Sequence, residues 1–382
     1  MRKRYRKHGR QVSQRIFSIL FSMLSGKGSR TTNVFSPIFN PEIKWDVQTV
    51  FTEGYKGLPD GLVTRVTSAY QAALSQFAGY ATSVWSGIDS LKRDIHAALI
   101  SATADADAVA RILSDPGATD LFWGVDPTFP ESTAEIRASP GGSTQLICDR
   151  ILRLAEAVGA LPLRHPLVGA RTVAVEIVET LAAIEQRIGG ALDFPNPFPR
   201  EFGVATARGA VTERALQAIF LAWRVRQLAE WHGGKTLEIG AGLGRAAYYA
   251  RALGITDYTI VDLPMGLVIQ AAFLGRALGG DGLAFPNEVA RPDQIRNLTP
   301  AMLLSSHERF DIVVNADSLT EMDREHAEVY AAFIATHAKV FISINHDFNS
   351  FRVCDLAALR GARVIRAPHW MNFGYTEELF FF

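Results

Sequence analysis

Apolar residues recur with two different periods along this chain, and the change comes near residue 235. In the first half they fall every three or four positions, which is the period of a buried helix face. Three stretches share this spacing and predict helices: 61–114 (two or three helices), 143–158 (with Ser143 as N-cap) and 172–188. We therefore expect a mainly α-helical first half behind an extended, proline-containing arm at 31–60.

Past residue 235, short apolar runs alternate with helical stretches, as in a doubly wound α/β sheet. The predicted strands are Thr236–Ile239, Tyr258–Val261, a weak one at Leu283–Val289, Phe310–Val314 and Lys339–Ile344. The aromatic-rich end from Pro368 to Phe382 predicts a closing hairpin. The chain divides into a basic tail (1–30), a helical domain (31–190), a linker (191–231) with the strap Leu192–Pro199 and a helix Thr212–Trp231, and a sheet domain (232–382).

One segment, Lys235 to Pro264, combines strand, glycine turn, helix and second strand in a βαβ half-unit. Gly240, Gly242 and Gly244 follow the first strand, and Asp262 follows the second. Glycines let the backbone pass close to a ligand, and the N–H groups of the following helix point toward it. This arrangement predicts a crevice for a nucleoside.

The spacing of the glycines separates two nucleoside cofactors. A dinucleotide site has its third glycine at the sixth position, where this chain has Arg245. Glu238 would repel a pyrophosphate but suits the ammonium of an amino-acid moiety, and Asp262 is placed to accept both ribose hydroxyls. S-adenosylmethionine is therefore favoured over NAD, with an adenine contact expected near Asp281 and Glu288. The predicted cofactor-binding residues are Glu238, Gly240, Ala241, Gly242, Gly244, Asp262, Leu263 and Asn315.

Composition narrows the class further. With 382 residues and 48% hydrophobic content, the chain can form more than one domain. Residues 1–30 carry nine Lys or Arg and no acid, which leaves 30 basic against 39 acidic residues in the rest, a balance of −9. Such a body has no nucleic-acid footprint. The basic tail predicts either a disordered segment or contact with an anionic membrane surface, and two widely separated cysteines favour a cytoplasmic protein.

Five motifs carry a resemblance to a known family: D-F-P-N-P-F-P, L-E-I-G-A-G-L-G-R, Y-T-I-V-D-L-P, N-A-D-S-L-T-E-M and F-I-S-I-N-H-D. The glycine block resembles motif I of class I S-adenosylmethionine-dependent methyltransferases, and the set resembles a bacterial family of sugar O-methyltransferases. The resemblance covers about residues 190–382. It implies a seven-stranded methyltransferase fold, with the methyl donor over Gly240 to Gly244 and the acceptor over the later strand ends.

Methyl transfer to a hydroxyl needs alignment of the two reactants and a base. The predicted catalytic residues are His346, which we favour as base, and the rivals Asp317 and Glu321. The predicted acceptor-binding residues are Asn345, Asp347, Trp370 and Tyr375. Ordinary roles stay open: a loop position for His346, a helix cap for Asp317. No spacing demands a metal, and none is predicted. Other candidate functions are transfer to a small aromatic or natural-product hydroxyl, and binding without turnover.

Overall fold

The computed structural model describes residues 46–77, 83–101, 106–126, 128–163, 176–372 and 374–382, so the predicted tail at 1–30 lies outside the described residues. Helices dominate the first half: α1 (Leu62–Ser75), α2 (Ser83–Leu91), α3 (Arg93–Ile100), α4 (Ala106–Ser114), α5 (Pro130–Ala138), α6 (Gly141–Val158) and α7 (Ile177–Ile188). Residues 61–114 thus hold four helices where two or three were predicted. The prediction of Ser143 as an N-cap is wrong, because α6 begins two residues earlier, after Pro140.

A small antiparallel sheet, not predicted from the sequence, joins the arm to the linker. It consists of β1 (Thr49–Glu53), β2 (Pro199–Thr206) and β3 (Gly209–Val211), with β2 in the middle. The proline strap leads into β2, and its Phe198 is fully buried, with its ring 4.9 Å from that of Phe122 and 6.4 Å from that of Phe273. The strap therefore packs between the helical first half and the second half of the chain.

The second half begins with α8 (Glu213–His232), close to the predicted helix Thr212–Trp231 and capped by the Thr212 hydroxyl. Its strands are β4 (Thr236–Ile239), β5 (Tyr258–Val261), β6 (Leu283–Ala284), β7 (Ile295–Leu298), β8 (Phe310–Ala316), β9 (Ala338–His346), β10 (Arg363–Pro368) and β11 (Tyr375–Phe381). Its further helices are α9 (Arg245–Ala252), α10 (Pro264–Ala277), α11 (Pro300–Leu304) and α12 (Arg324–His337).

The eight strands form one sheet in the order β10-β11-β9-β8-β4-β5-β7-β6. β11 runs antiparallel to both of its neighbours, and the other paired strands are parallel. From β4 the chain winds outward through β5 and then returns to β8 on the other side, so the carboxyl ends of β4 and β8 flank the switch point at which ligands bind in such sheets. The predicted doubly wound α/β fold is confirmed, but the sheet has eight strands where seven were expected, since the two-residue strand β6 is added at its edge.

The weak strand predicted at 283–289 was placed only in part. Its first two residues form the outermost strand β6, whereas β7 lies beside β5. The sequence of β7 is I-R-N-L, and its Asn297 is buried with its amide donating to Gln270 Oε1 at 2.9 Å. Because Arg296 and Asn297 interrupt its apolar residues, the hydrophobic pattern does not predict this strand.

One hydrophobic core includes residues of α1, α4, α6 and α7 together with residues of the strap and of α8, α9 and α10. A second core lies on the other face of the sheet, between the strands and α12. The division into a helical domain and a sheet domain therefore stays a prediction, since the first core runs across the predicted boundary. None of the helices in the described residues is long and apolar enough to cross a membrane.

Candidate active site

The turn after β4 is a cradle that only glycine can build. Gly240, Gly242 and Gly244 have φ angles of 73°, 56° and 82°, values that L side chains rarely adopt. A Cβ atom on Gly240 would lie 2.3 Å from Ser318 Oγ, and one on Gly244 would lie 2.6 Å from Leu274 Cδ1. The predicted glycines thus form a narrow backbone turn at the carboxyl end of β4, immediately before the N-terminus of α9.

Asp262 lies at the end of β5, beside this cradle. Its Oδ1 accepts from the backbone N–H of Leu263 at 2.8 Å, its Oδ2 accepts from Gln270 Nε2 at 2.8 Å, and the backbone N–H of Ala241 also donates to the carboxylate. Burial raises the pKa of Asp262 to about 6, although these hydrogen bonds oppose the shift. The two predicted backbone positions, Ala241 and Leu263, therefore hold this carboxylate at the strand end.

Glu238 is 3% exposed and accepts a hydrogen bond of 3.0 Å from the Tyr258 hydroxyl. Burial raises its pKa to about 7, an effect that the Tyr258 hydroxyl opposes and the charge of Asp262 reinforces. Its carboxyl group is therefore neutral in a large fraction of molecules near pH 7. The predicted contact with an ammonium group stays a prediction.

The two predicted asparagines are buried and bond to each other. Asn345 Nδ2 donates to Asn315 Oδ1 at 3.0 Å and to Ser343 Oγ at 2.9 Å. Asn315 Nδ2 donates to the Ile239 carbonyl at 2.9 Å and to Ser318 Oγ. With these N–H groups used inside the protein, the pair ties together the ends of β4, β8 and β9. The contacts do not support the predicted roles in binding cofactor and acceptor.

Four predicted residues do converge past the ends of β8 and β9. The Tyr375 hydroxyl lowers the pKa of the Asp317 carboxylate against the effect of burial, and the Tyr375 ring stands edge-on to the ring of His346 with centroids 5.3 Å apart. The negative charge of Asp317 also disfavours ionisation of Glu321. Asp317 Oδ1 and His346 Nδ1 are buried and have no hydrogen-bond partner among the described residues. We name Asp317, Glu321, His346 and Tyr375 the polar cluster.

The backbone and the charges of the polar cluster are unusual. Asp317 has a φ angle of 52°, one of two positive values among the described non-glycine residues, and such strain concentrates at functional sites. Burial raises its pKa, while Arg214, His346 and Tyr375 oppose the rise. Burial and then the charge of Asp317 raise the pKa of Glu321 to about 8, against hydrogen bonding from Trp85 and the charge of Arg214.

Two residues of the site were missed by the sequence analysis. Trp85 lies on α2 in the helical first half, and its side chain bonds Glu321. Arg214 lies in the first turn of α8, and its charge acts on Asp317 and Tyr375. Both are distant in sequence from the glycine segment, and neither belongs to a recognisable motif. One signal for Arg214 is in the sequence: the helix that carries it leads into β4 at its C-terminal end, so its N-terminal end lies toward the carboxyl ends of the strands.

Two predicted acceptor-binding residues do not join the polar cluster. Asp347 is ion-paired with Arg366, which also pairs with the buried Glu378. The Trp370 ring is 40% exposed, and its Nε1 donates to the Arg153 carbonyl of α6 at 3.0 Å. Each side chain is engaged with a structural partner, and their contacts with an acceptor stay predictions, whereas Tyr375 of the closing hairpin belongs to the polar cluster.

The adenine contact expected near Asp281 and Glu288 is likewise not supported. Glu288 is bonded through both oxygens to Arg65 of α1, at 2.7 and 2.6 Å, which ties α1 to the edge of the sheet. A buried cation from the helical first half acts on Asp262: Lys92, which is 2% exposed and precedes α3. Burial lowers its pKa to about 8, opposed by the charges of Asp89 and then Asp262.

Comparison with known proteins gives structural likeness only. No family model and no curated protein matches the chain. The methyltransferase domain of bacterial CtHen1 is 11% identical and has a TM-score of 0.34, covering 44% of this chain and 99% of that domain. Magnesium protoporphyrin IX methyltransferase from Synechocystis PCC 6803, solved with bound SAM, is 14% identical with a TM-score of 0.29, covering 44% and 84%.

A third structure, the complex of DhpI with SAH, is 14% identical with a TM-score of 0.28, covering 44% of this chain and 95% of the other. TM-scores below 0.5 do not establish a function for this chain. The doubly wound fold is assigned from the strand order and pairing of the chain itself, and the site from its own residues.

Proposed function

We propose that this protein transfers a methyl group from S-adenosylmethionine to a hydroxyl oxygen, with a sugar as the acceptor. The observation that carries the proposal is the glycine cradle beside a carboxylate at the next strand end. The three glycines allow a tight backbone turn at the end of β4 that has no room for a Cβ at Gly240 or Gly244, and Asp262 is held beside this turn. These positions fit a nucleoside with its ribose at Asp262.

The polar cluster supports a hydroxyl acceptor. Bound S-adenosylmethionine supplies an electrophilic methyl group, so the protein has to orient a hydroxyl and remove its proton. The buried Nδ1 of His346 has no hydrogen-bond partner in the part of the chain that the structure describes, and this atom is our candidate for taking that proton. Glu321, with a pKa of about 8, is mostly protonated at neutral pH and is the weaker candidate for a base.

The chemistry of the cluster favours a sugar over an aromatic acceptor. Asp317, Glu321 and Tyr375 present carboxyl and hydroxyl groups, which bind the many hydroxyls of a sugar. The indole of Trp85 offers a flat apolar face of the kind that packs on a sugar ring. A mainly apolar acceptor would leave several of these polar groups buried and unpaired, at a cost in free energy.

The donor is tested by titration calorimetry with S-adenosylmethionine and, separately, with NAD. We expect binding of the first alone; tighter binding of NAD would refute the donor. The acceptor is then tested by incubating the protein with radiolabelled S-adenosylmethionine and matched panels of glycosides and phenols. Label in phenols but not in glycosides would replace the sugar by an aromatic hydroxyl, and donor binding without any transfer would favour the non-catalytic alternative.

A further inference from the structure

An unsatisfied carboxylate lies against the glycine cradle and comes from the helical first half. Val125 contacts the cradle, since a Cβ atom on Gly242 would lie 3.5 Å from Val125 Cγ1. The next residue, Asp126, is 4% exposed. Its Oδ2 accepts from Arg245 Nη1 at 2.8 Å, whereas its Oδ1 is buried without a hydrogen-bond partner among the described residues. A buried carboxylate oxygen needs a donor.

The cation already present is shared. Arg245 also donates to Glu201 Oε1 at 3.3 Å, so one guanidinium serves two buried carboxylates. Both acids come from segments outside the βαβ unit, one from the loop before α5 and one from β2. When both carboxylates are ionised, Asp126, Glu201 and Arg245 together carry a net charge of −1. They can then bind a cationic part of a ligand beside Gly242.

Arg214 is the cation that acts on both Asp126 and the polar cluster. Its charge interacts with those of the adjacent Glu213 and of Asp317, Asp126 and Tyr375, and its Nη1 donates to Gln217 Oε1 at 3.3 Å. It forms no ion pair with any of the described residues, unlike Arg245. A guanidinium has five N–H donors in a planar fork that matches a carboxylate. Arg214 is therefore able to bind an anionic ligand group at this position.

Asp126 and Arg214 thus present opposite charges near each other without forming an ion pair. A ligand with an ammonium and a carboxylate on one carbon would match both at once, with each of its charges beside the opposite charge of the protein. We propose that Asp126 binds the ammonium and Arg214 the carboxylate of the amino-acid end of S-adenosylmethionine. The proposal rests on the proposed donor and gives to Asp126 the contact that the sequence analysis assigned to Glu238.

The test compares two ligands that differ at the amino-acid end. S-adenosylhomocysteine carries the ammonium and the carboxylate, whereas 5′-methylthioadenosine lacks both. In calorimetry, Arg214→Gln should weaken binding of S-adenosylhomocysteine about 10- to 100-fold, the range for a lost hydrogen bond to a charged group. Its affinity for 5′-methylthioadenosine should stay within about twofold. Asp126→Asn should behave in the same way.

The controls separate the proposal from folding and from the donor itself. Arg291→Gln removes a more than half-exposed arginine elsewhere and should leave both affinities unchanged. Asp126→Asn also disturbs Arg245, so Arg214→Gln is the decisive variant, and retained binding of 5′-methylthioadenosine shows that it is folded. Unchanged affinity for S-adenosylhomocysteine, or an equal loss for both ligands, would overturn the proposal. If the unmodified protein binds neither ligand, the proposed donor itself is wrong.

Discussion

The two ends of the candidate site are built in different ways. At the cradle end, strand, glycines, helix and acid follow one another within Lys235–Pro264, and the carboxylate of Asp262 has its hydrogen bonds made inside the protein. At the polar cluster, the groups come from the loop after β8 and from β9 and β11, Trp85 of α2 bonds Glu321, and two polar atoms have no partner among the described residues.

The difference separates a carboxylate that is preorganised for a ligand, Asp262, from polar atoms that have no partner before a ligand binds, and Asp126 Oδ1 beside the cradle belongs to the second kind. A satisfied carboxylate beside a bare backbone binds a ligand without rearrangement. Buried atoms without partners, next to a residue with positive φ, carry a free-energy cost that a ligand can relieve. We therefore assign the constant donor to the cradle and the acceptor to the polar cluster, and the following experiments test this division.

The largest expected effect is on the polar cluster. His346→Gln should lower kcat by roughly 10²- to 10⁴-fold, the contribution of a general base, while calorimetry should give an unchanged Kd for S-adenosylmethionine. The matched control is His326→Gln, since His326 is a surface residue on α12 paired with Asp323. Full turnover of His346→Gln would assign the base to another group. A loss of donor affinity in that variant would show that the polar cluster also binds the donor, contrary to the division between the two ends.

The second effect concerns the cradle. Gly240→Ala should weaken S-adenosylmethionine binding by about 100-fold, because its Cβ would overlap Ser318 Oγ in addition to the strain of a positive φ. Gly279→Ala is the control: its φ of 75° is close to the 73° of Gly240, but a Cβ there meets nothing within 4 Å. Equal donor affinities of the two variants would show that the lack of space at Gly240 has no part in donor binding.

The same contrast, between one continuous segment and groups from separate elements, explains which parts of the site could be predicted from the sequence. The bounds of β4 and β5, and the helix between them, could be predicted because each is set by residues within it. The grouping of Asp317, Glu321, His346 and Tyr375 followed from placing strand ends at one edge of the sheet. Trp85 and Asp126 could not be placed, since their positions depend on how the first half packs on α10 and the cradle, and Arg214 could not be placed because it lies one helix length before β4 and outside any motif.

The third effect is on acceptor binding alone. Trp85→Phe removes the indole N–H that bonds Glu321 and should raise the KM for the acceptor about tenfold, the cost of a lost hydrogen bond in a buried site. The Kd for S-adenosylmethionine should not change. Trp370→Phe is the matched control, because its indole bonds the Arg153 carbonyl outside the cluster. If Trp370→Phe raised KM and Trp85→Phe did not, the acceptor would lie at the outer face of the hairpin instead.

The smallest expected effect is on the pH dependence of stability, and it comes from Glu321 of the polar cluster. Glu321 has an ordinary pKa of 4.5 when unfolded and about 8 in the folded protein, mainly through burial. Between these values the folded protein holds one proton more than the unfolded chain, so this group makes stability fall as pH rises. Glu321→Gln has no proton to lose, and its Tm should exceed that of the unmodified protein by roughly 2 °C more at about pH 8 than at about pH 5.

Differential scanning calorimetry at both pH values measures this difference in Tm, with Glu325→Gln on the surface of α12 as control. A Tm difference that does not grow with pH would mean that Glu321 is ionised in the folded protein, and Glu321 would then compete with His346 as the base.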